Sequence, residues 1–112
     1  MTVRNSIQMA DALAPNRISD EIKRRWLGDL EGMVRVELRG SLVEEAKALT
    51  EEGVISEQAV LDVPYPFDRM YWLYLVAMIE YTHGDATRYA NAASMFNAAY
   101  TSYAKWLKRH GE

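Results

Sequence analysis

Residues 66–82 read PFDRMYWLYLVAMIEYT, and residues 85–107 read DATRYANAASMFNAAYTSYAKWL. Apolar side chains recur in both segments every three or four residues, which is the period of an amphipathic α-helix. Eleven of the chain's twelve aromatic residues lie between Tyr65 and Trp106. We therefore predict that two aromatic-rich helices form most of the core.

The turn between these helices, His83-Gly84-Asp85, favours a tight helical hairpin. Gly84 can adopt the left-handed backbone conformation that commonly ends a helix. Asp85 can accept hydrogen bonds from the first unpaired backbone N–H groups of the next helix. We predict a helical hairpin over residues 66–110.

The first helix of this hairpin is apolar on two faces, because Trp72, Val76 and Ile79 lie beside a face that contains Tyr71 and Tyr74. A single partner helix cannot cover both faces. We therefore expect more apolar surface than one chain of this size buries, which favours assembly with another subunit. Burial of Trp72 within the chain's own core is the alternative. The predicted subunit or partner interface consists of Tyr65, Arg69, Trp72, Val76, Ile79 and Glu80, with the two charged residues at its rim.

Two helices are predicted in the N-terminal third of the chain. A short one over residues 6–14 ends at Pro15, which disfavours helical geometry at the residue before it. A longer one over residues 20–39 has apolar residues at every fourth position. Gly28 and Gly32 each destabilise its interior by about 1 kcal/mol relative to alanine. Close packing of another helix, or a bend, would explain them.

The central part of the chain is an acidic connection. Residues 41–68 contain seven acidic residues and one basic residue, whereas residues 1–40 contain six acidic and seven basic residues. Residues 42–49 have one apolar face and are predicted to be helical. Near residues 54–65, β-branched segments between turn residues favour a short extended or β arm.

The predicted fold class is mainly α: a small bundle of four to five helices with a long C-terminal hairpin. The length favours a single domain over residues 1–112, because two cores in so short a chain would each be marginal. Its parts are the N-terminal helices (1–40), the acidic connection with its extended arm (41–65) and the aromatic helical hairpin (66–110).

Composition argues against several classes of protein. The net charge of −3 disfavours sequence-specific nucleic-acid binding, which normally needs a basic surface to neutralise phosphates. The chain has no cysteine for disulfides or thiolate metal sites, and its N-terminus lacks the apolar run of a signal peptide, which fits the cytoplasm. The longest uncharged apolar run, residues 70–79, has ten residues, whereas about 20 are needed to span a bilayer.

The sequence has no recognisable catalytic pattern. His83 and His110 lie at a turn and at the tail, without a second ligand at a metal-binding spacing. The acidic pairs Glu44-Glu45 and Glu51-Glu52 have no apolar surroundings that would shift a pKa for general acid or base catalysis. Glycine-rich phosphate loops and nucleophile motifs are not found either. We predict a non-enzymatic protein with no cofactor, no metal and no small-molecule substrate.

The order of aromatic, proline and turn residues resembles that of small proteins from tailed bacteriophages and prophages. The hairpin part of the likeness is Pro64-Tyr65-Pro66-Phe67-Asp68, Tyr71, Tyr74-Leu75, Ala77-Met78-Ile79, Tyr81, Gly84, Tyr89, Asn91, Met95-Phe96-Asn97, Ala99-Tyr100, Tyr103-Ala104 and Trp106. The N-terminal part is Ala10-Asp11, Leu13, Pro15-Asn16, Trp26-Leu27 and Leu30-Glu31-Gly32. These residues pack and turn the chain and are not a chemical signature.

The resemblance implies a head-tail connector, a mostly helical adaptor that forms a ring and joins the portal or head to the tail. Such a ring uses heterologous contacts between subunits that close by rotation. The implied partners are copies of this chain and portal or tail proteins, in a virion assembled in the bacterial host cytoplasm. The alternative is a small helical regulatory or partner-binding module of mobile-element origin.

Overall fold

The segments with a helical apolar period form five α-helices in a computed structural model, which describes residues 1–110. In all, 67% of the described chain is helical, which confirms the mainly α fold class. The last two residues of the predicted domain, Gly111 and Glu112, lie outside the described residues. The helices are α1 (Val3–Leu13), α2 (Asp20–Met33), α3 (Val43–Lys47), α4 (Arg69–Thr82) and α5 (Ala86–His110), and the strands are β1 (Thr50–Glu51) and β2 (Val54–Ile55).

The predicted hairpin is formed by α4 and α5, and its turn has the predicted chemistry. Gly84 has a φ of +74°, and the Asp85 carboxylate accepts a hydrogen bond of 3.0 Å from the Arg88 backbone N–H. Aromatic pairs join the two helices along their length, with ring centroids 5.3 to 5.7 Å apart. These pairs are Phe67–Tyr103, Tyr74–Phe96 and Tyr81–Tyr89.

The start of the hairpin differs from the prediction, because α4 begins at Arg69 and not at Pro66. Residues 65–68 form turns, and the Phe67 backbone N–H donates a 2.9 Å hydrogen bond to the Pro64 carbonyl. The Met70 and Tyr71 N–H groups donate to the carbonyls three residues earlier, at Phe67 and Asp68, so this entry has the tighter hydrogen bonds of turns and not those of an α-helix.

The central position of α4 explains why it is apolar on two faces. Besides α5, it contacts α1 and α2, and the side chains of these helices form one core with it. Tyr71, Leu75 and Ile79 have no exposed surface. The expectation that the hairpin carries more apolar surface than the chain can bury is therefore wrong for most of α4, because the N-terminal helices cover its second face.

The N-terminal helices have the predicted order, with capped starts. The Thr2 side chain accepts a hydrogen bond from the Asn5 N–H, and the Ser19 side chain accepts one from the Ile22 N–H. After Met33, α2 continues as a π-helical segment, Val34–Leu38. The predicted helix over residues 20–39 is thus nearly right in extent, but its last turn is wider than an α-helix.

The acidic connection forms a small flap on α2, which comprises α3, β1 and β2. The two strands pair in antiparallel register, Thr50 with Ile55 and Glu51 with Val54. The predicted arm near residues 54–65 is a strand only at Val54–Ile55. Further on, the backbone follows the start of α1, where an isolated bridge joins Thr2 and Val60.

Candidate interaction surface

The six predicted interface residues differ greatly in exposure. Tyr65 is 86% exposed, and Arg69 is also exposed. Trp72 and Val76 are half-buried and pack against the core. The helical spacing places them on the same side of α4 as Arg69. Four of the six residues therefore have surface that a partner could contact.

Ile79 and Glu80 do not belong to an exposed surface of the subunit, which corrects that part of the predicted interface. Ile79 is 0% exposed because it lies in the core formed with the N-terminal helices. Glu80 is 6% exposed. Its carboxylate lies under the hairpin turn, 3.6 Å from His83 Nδ1 and 3.8 Å from Arg88 Nη1.

The largest uncovered helical surface is on α5. This helix packs mainly against α4, and the residues that it buries fully are Ala92, Ala99 and Tyr103. No charged residue occurs between Arg88 and Lys105. The exposed side of α5 is therefore uncharged over about four turns. We call this side the outer face, and its central line of exposed residues is Ala90, Ser94, Ala98 and Thr101.

Charge is distributed unevenly between α5 and the flap. Residues 86–110 contain four basic residues and no acidic residue, whereas residues 41–58 contain five acidic residues and one lysine. The flap residues Glu44, Glu45, Glu51 and Glu52 are exposed. The protein thus has one basic helix and one acidic flap.

A groove runs between α2 and the flap. It has a volume of about 470 Å³. Val43, on its edge, is 52% exposed. Gly28 and Gly32 line the groove from α2. A Cβ at Gly28 would lie 3.0 Å from the Thr50 Cγ2 atom, whereas a Cβ at Gly32 would have no neighbour within 4 Å.

A buried polar network joins α2, α4 and the backbone before α4. Glu31, 1% exposed, accepts a 2.6 Å hydrogen bond from the Tyr71 hydroxyl and a 2.7 Å hydrogen bond from the Asp62 N–H. The Tyr71 hydroxyl accepts a 2.9 Å hydrogen bond from the Val63 N–H. Arg35 lies 2.9 Å and 3.0 Å from the two carboxylate oxygens of Asp62.

Two buried groups of the network, Glu31 and the Tyr71 hydroxyl, have raised pKa values. Burial raises the pKa of Glu31, against the lowering effect of the hydrogen bonds that its carboxylate accepts. Burial also raises the pKa of the Tyr71 hydroxyl, and the neighbouring Glu31 charge adds to this shift. The Glu31 carboxylate, the Tyr71 hydroxyl and the Asp62 and Val63 N–H groups pair with one another, so the network fastens α2, α4 and the segment before α4 together.

The sequence analysis did not predict this network. The spacing of Glu31 and Arg35, four residues apart on the predicted helix, indicates that these two side chains are neighbours, but it does not identify Tyr71 as a partner. Glu31 and Tyr71 are 40 positions apart. Their contact depends on how α2 crosses α4, which periodicity does not specify.

The two histidines lie at opposite ends of α5 and do not share a site. His83 is near Glu80, whereas the His110 ring stacks on Trp106 with centroids 5.2 Å apart. Within residues 1–110, no group of three or more His, Cys, Asp or Glu side chains could hold a metal ion. Over the same residues, no helix is long and apolar enough to cross a membrane.

No protein-family model, curated protein or solved structure matches the chain.

Proposed function

We propose that this protein is a structural subunit of the head-tail connector of a tailed bacteriophage or prophage. In this role it binds copies of itself in a ring and joins the portal or head to the tail during virion assembly. It works by contact and catalyses no reaction. It would be incorporated into the virion during assembly in the cytoplasm of the bacterial host.

The observation that most supports an assembly role is the outer face of α5. The exposed side of this helix is uncharged over about four turns, and its central line, Ala90 to Thr101, consists of small side chains. Charged residues normally dominate the solvent side of a surface helix, and they are depleted at the centre of protein interfaces. Tyr65, 86% exposed, offers a further aromatic contact on the same subunit.

The resemblance to phage connector proteins supports the choice of assembly. The residues that carry it include core residues such as Tyr71 and Tyr103, together with the hairpin turn at Gly84. Residues of this kind favour a common fold. The particular partners, portal and tail proteins, remain part of the proposal.

Co-expression with the portal and tail proteins of the same genome tests the proposal. We expect a tagged portal protein to retain the chain, and electron microscopy to reveal ring-shaped complexes. Ser94→Arg, which places a charge at the centre of the outer face, should reduce retention at least tenfold, whereas Ser94→Ala should bind like the wild type. Failure of both portal and tail proteins to retain the folded wild-type chain would refute the proposal.

The closed core favours a second candidate function. Because Tyr71 and Ile79 are fully enclosed within one chain, the subunit can be stable as a monomer. A small helical regulatory or partner-binding module of mobile-element origin would have this property. Such a module would form a discrete complex with one partner and no ring, so the same electron microscopy experiment separates the two candidates.

A further inference from the structure

Gly32 lies in α2 at a position where no packed neighbour in residues 1–110 explains a glycine. Glycine destabilises a helix interior relative to alanine, because the chain loses more conformational freedom on folding. Gly28 has an internal reason, since Thr50 lies where its side chain would be. Around Gly32, no atom of another element in the described part of the chain lies within 4 Å of where a Cβ would be. The effect of Gly32 is to leave the α2 backbone open at the floor of the groove.

The groove has the size and lining to hold part of a helix. Its lining residues on α2 and the π-helical segment run from Gly28 to Glu37. At a rise of 1.5 Å per residue, this is a length of about 14 Å, or two to three helical turns. Single π-helical turns within helices are rare and are frequently found at functional sites. An open backbone at Gly32 lets a second helix approach closely, provided that its own side chains are small.

The outer face of α5 fits these requirements. The side chains along its central line are alanine, serine and threonine. The basic residues of α5 complement the acidic flap beside the groove, because the helix has four basic and no acidic residues and the flap segment 41–58 has five acidic residues and one lysine. Each copy has one groove and one outer face, built from different elements. A contact between them is therefore heterologous, as a ring requires.

We propose that the Gly32 groove of one subunit holds the outer face of α5 from a second copy of this chain. The inference rests on the proposed self-assembly and specifies its contact. The acidic flap lies beside the bound helix, and its charges face the basic residues of α5.

Cross-linking between two single-cysteine variants tests the contact, because the natural chain has no cysteine. One chain has Gly32→Cys, and the other has Ser94→Cys, Ala98→Cys or Thr101→Cys. A disulfide needs Cα atoms within about 7 Å, so only a close contact gives a product. We expect at least one mixed pair to form a covalent dimer ten or more times faster than Gly32→Cys paired with Gln8→Cys, an exposed position on α1. Equal rates for all pairs would overturn the inference.

Complementation between two blocked variants provides the second test. Gly32→Leu fills the groove, and Ser94→Arg blocks the outer face. We expect each variant to be at least as stable as the wild type in thermal unfolding and to self-associate at least tenfold more weakly in sedimentation velocity. An equimolar mixture should form dimers but no larger species, because each pair keeps one intact groove and one intact outer face. Ser94→Ala is the control and should associate like the wild type.

The possible outcomes separate this inference from the proposed function. If the wild type associates and both blocked variants associate equally well, the inference is wrong and self-assembly uses another surface. If Ser94→Arg is impaired and Gly32→Leu is not, the outer face binds elsewhere and the groove assignment is overturned. If the folded wild type does not associate, the inference is wrong even when the portal protein retains the chain. If the portal and tail proteins also fail to retain it, the proposed function fails as well.

Discussion

At the scale of single residues, the Glu31–Tyr71 pair is the main polar link in the interior. It fastens α2 to α4, and through the N–H groups of Asp62 and Val63 it also holds the segment that enters the hairpin. A buried carboxylate is tolerated only when its oxygens accept hydrogen bonds. The pair therefore has a larger effect on stability than its small number of atoms suggests.

We predict that Tyr71→Phe lowers the free energy of unfolding by about 2 to 3 kcal/mol, measured by urea denaturation. The change removes a donor from the Glu31 carboxylate and leaves the Val63 N–H without an acceptor in the interior. Tyr100→Phe is the matched control, because the Tyr100 hydroxyl donates to Glu37 at the surface. Water can replace that hydroxyl, so its loss should cost less than about 1 kcal/mol. Equal losses in the two variants would contradict this account of the network.

The raised pKa of Glu31 predicts that the free energy of unfolding depends on pH. Comparison of the wild type with Glu31→Gln isolates this contribution. A carboxyl group with a raised pKa in the folded state contributes stability that is fully present below its unfolded pKa of about 4.5 and is lost as pH rises through its folded pKa. The free energy of unfolding of the wild type, relative to that of Glu31→Gln, should therefore increase as pH falls from 7.5 towards 4.5. Urea denaturation across this range measures the difference. A constant or opposite difference would show that burial does not raise this pKa.

Sequence reasoning identified which residues are apolar but not which polar residues meet. Tyr71 was correctly placed on an apolar face, and it is buried. Its hydroxyl partner could not be inferred, because Glu31 lies on a helix whose crossing with α4 is set by the packing of many side chains. Glu80 illustrates the same limit. Its position at the end of an apolar run predicts the rim of an interface, whereas in the structure the hairpin turn covers its side chain.

At the scale of secondary structure elements, α2 provides a direct comparison of two glycines in one helix. Gly32→Ala should raise the free energy of unfolding by about 0.5 to 1 kcal/mol, because alanine favours the helix and the new Cβ has no neighbour within 4 Å. Gly28→Ala should raise the free energy of unfolding by less than Gly32→Ala does, or lower it, because its Cβ would lie 3.0 Å from the Thr50 side chain. Thermal or urea unfolding of both variants checks the order.

The control for this comparison is Gly28→Ala combined with Thr50→Ser, which removes the Cγ2 atom that the new Cβ would approach. In this background, Gly28→Ala should raise the free energy of unfolding by an amount closer to that expected for Gly32→Ala. A Gly28→Ala variant as stable as Gly32→Ala would mean that the flap does not pack closely on α2.

The helices that the sequence predicted best are those with strong local signals. Gly84 and Asp85 mark the hairpin turn, and Ser19 caps α2 at its predicted start. By contrast, α1 begins at Val3, behind a Thr2 cap, and not at the predicted residue 6. The π-helical segment Val34–Leu38 had no such signal, because its residues are ordinary for a helix. The apolar second face of α4 was recognised, but periodicity cannot distinguish coverage by the same chain from coverage by another copy.

At the scale of the whole molecule, the uneven distribution of charge predicts a salt-sensitive association. If the basic end of α5 faces the acidic flap of a neighbour, the attraction is screened as the Debye length falls from about 10 Å at 0.1 M salt to about 3 Å at 1 M. Self-association should weaken about tenfold between 0.1 and 1 M NaCl. A Lys105→Gln, Lys108→Gln variant should associate more weakly at low salt and depend less on salt. Association that strengthens with salt would indicate an apolar contact without this charge pairing.

We propose that a chain with a closed core uses its outer surface to bind copies of itself. Sedimentation equilibrium of the wild-type chain at increasing concentration tests this claim most directly. We predict that the weight-average mass rises above the monomer mass of 12.8 kDa and that Ser94→Arg lowers it at every concentration. A mass that stays at 12.8 kDa for the folded wild type across the whole range would contradict the claim.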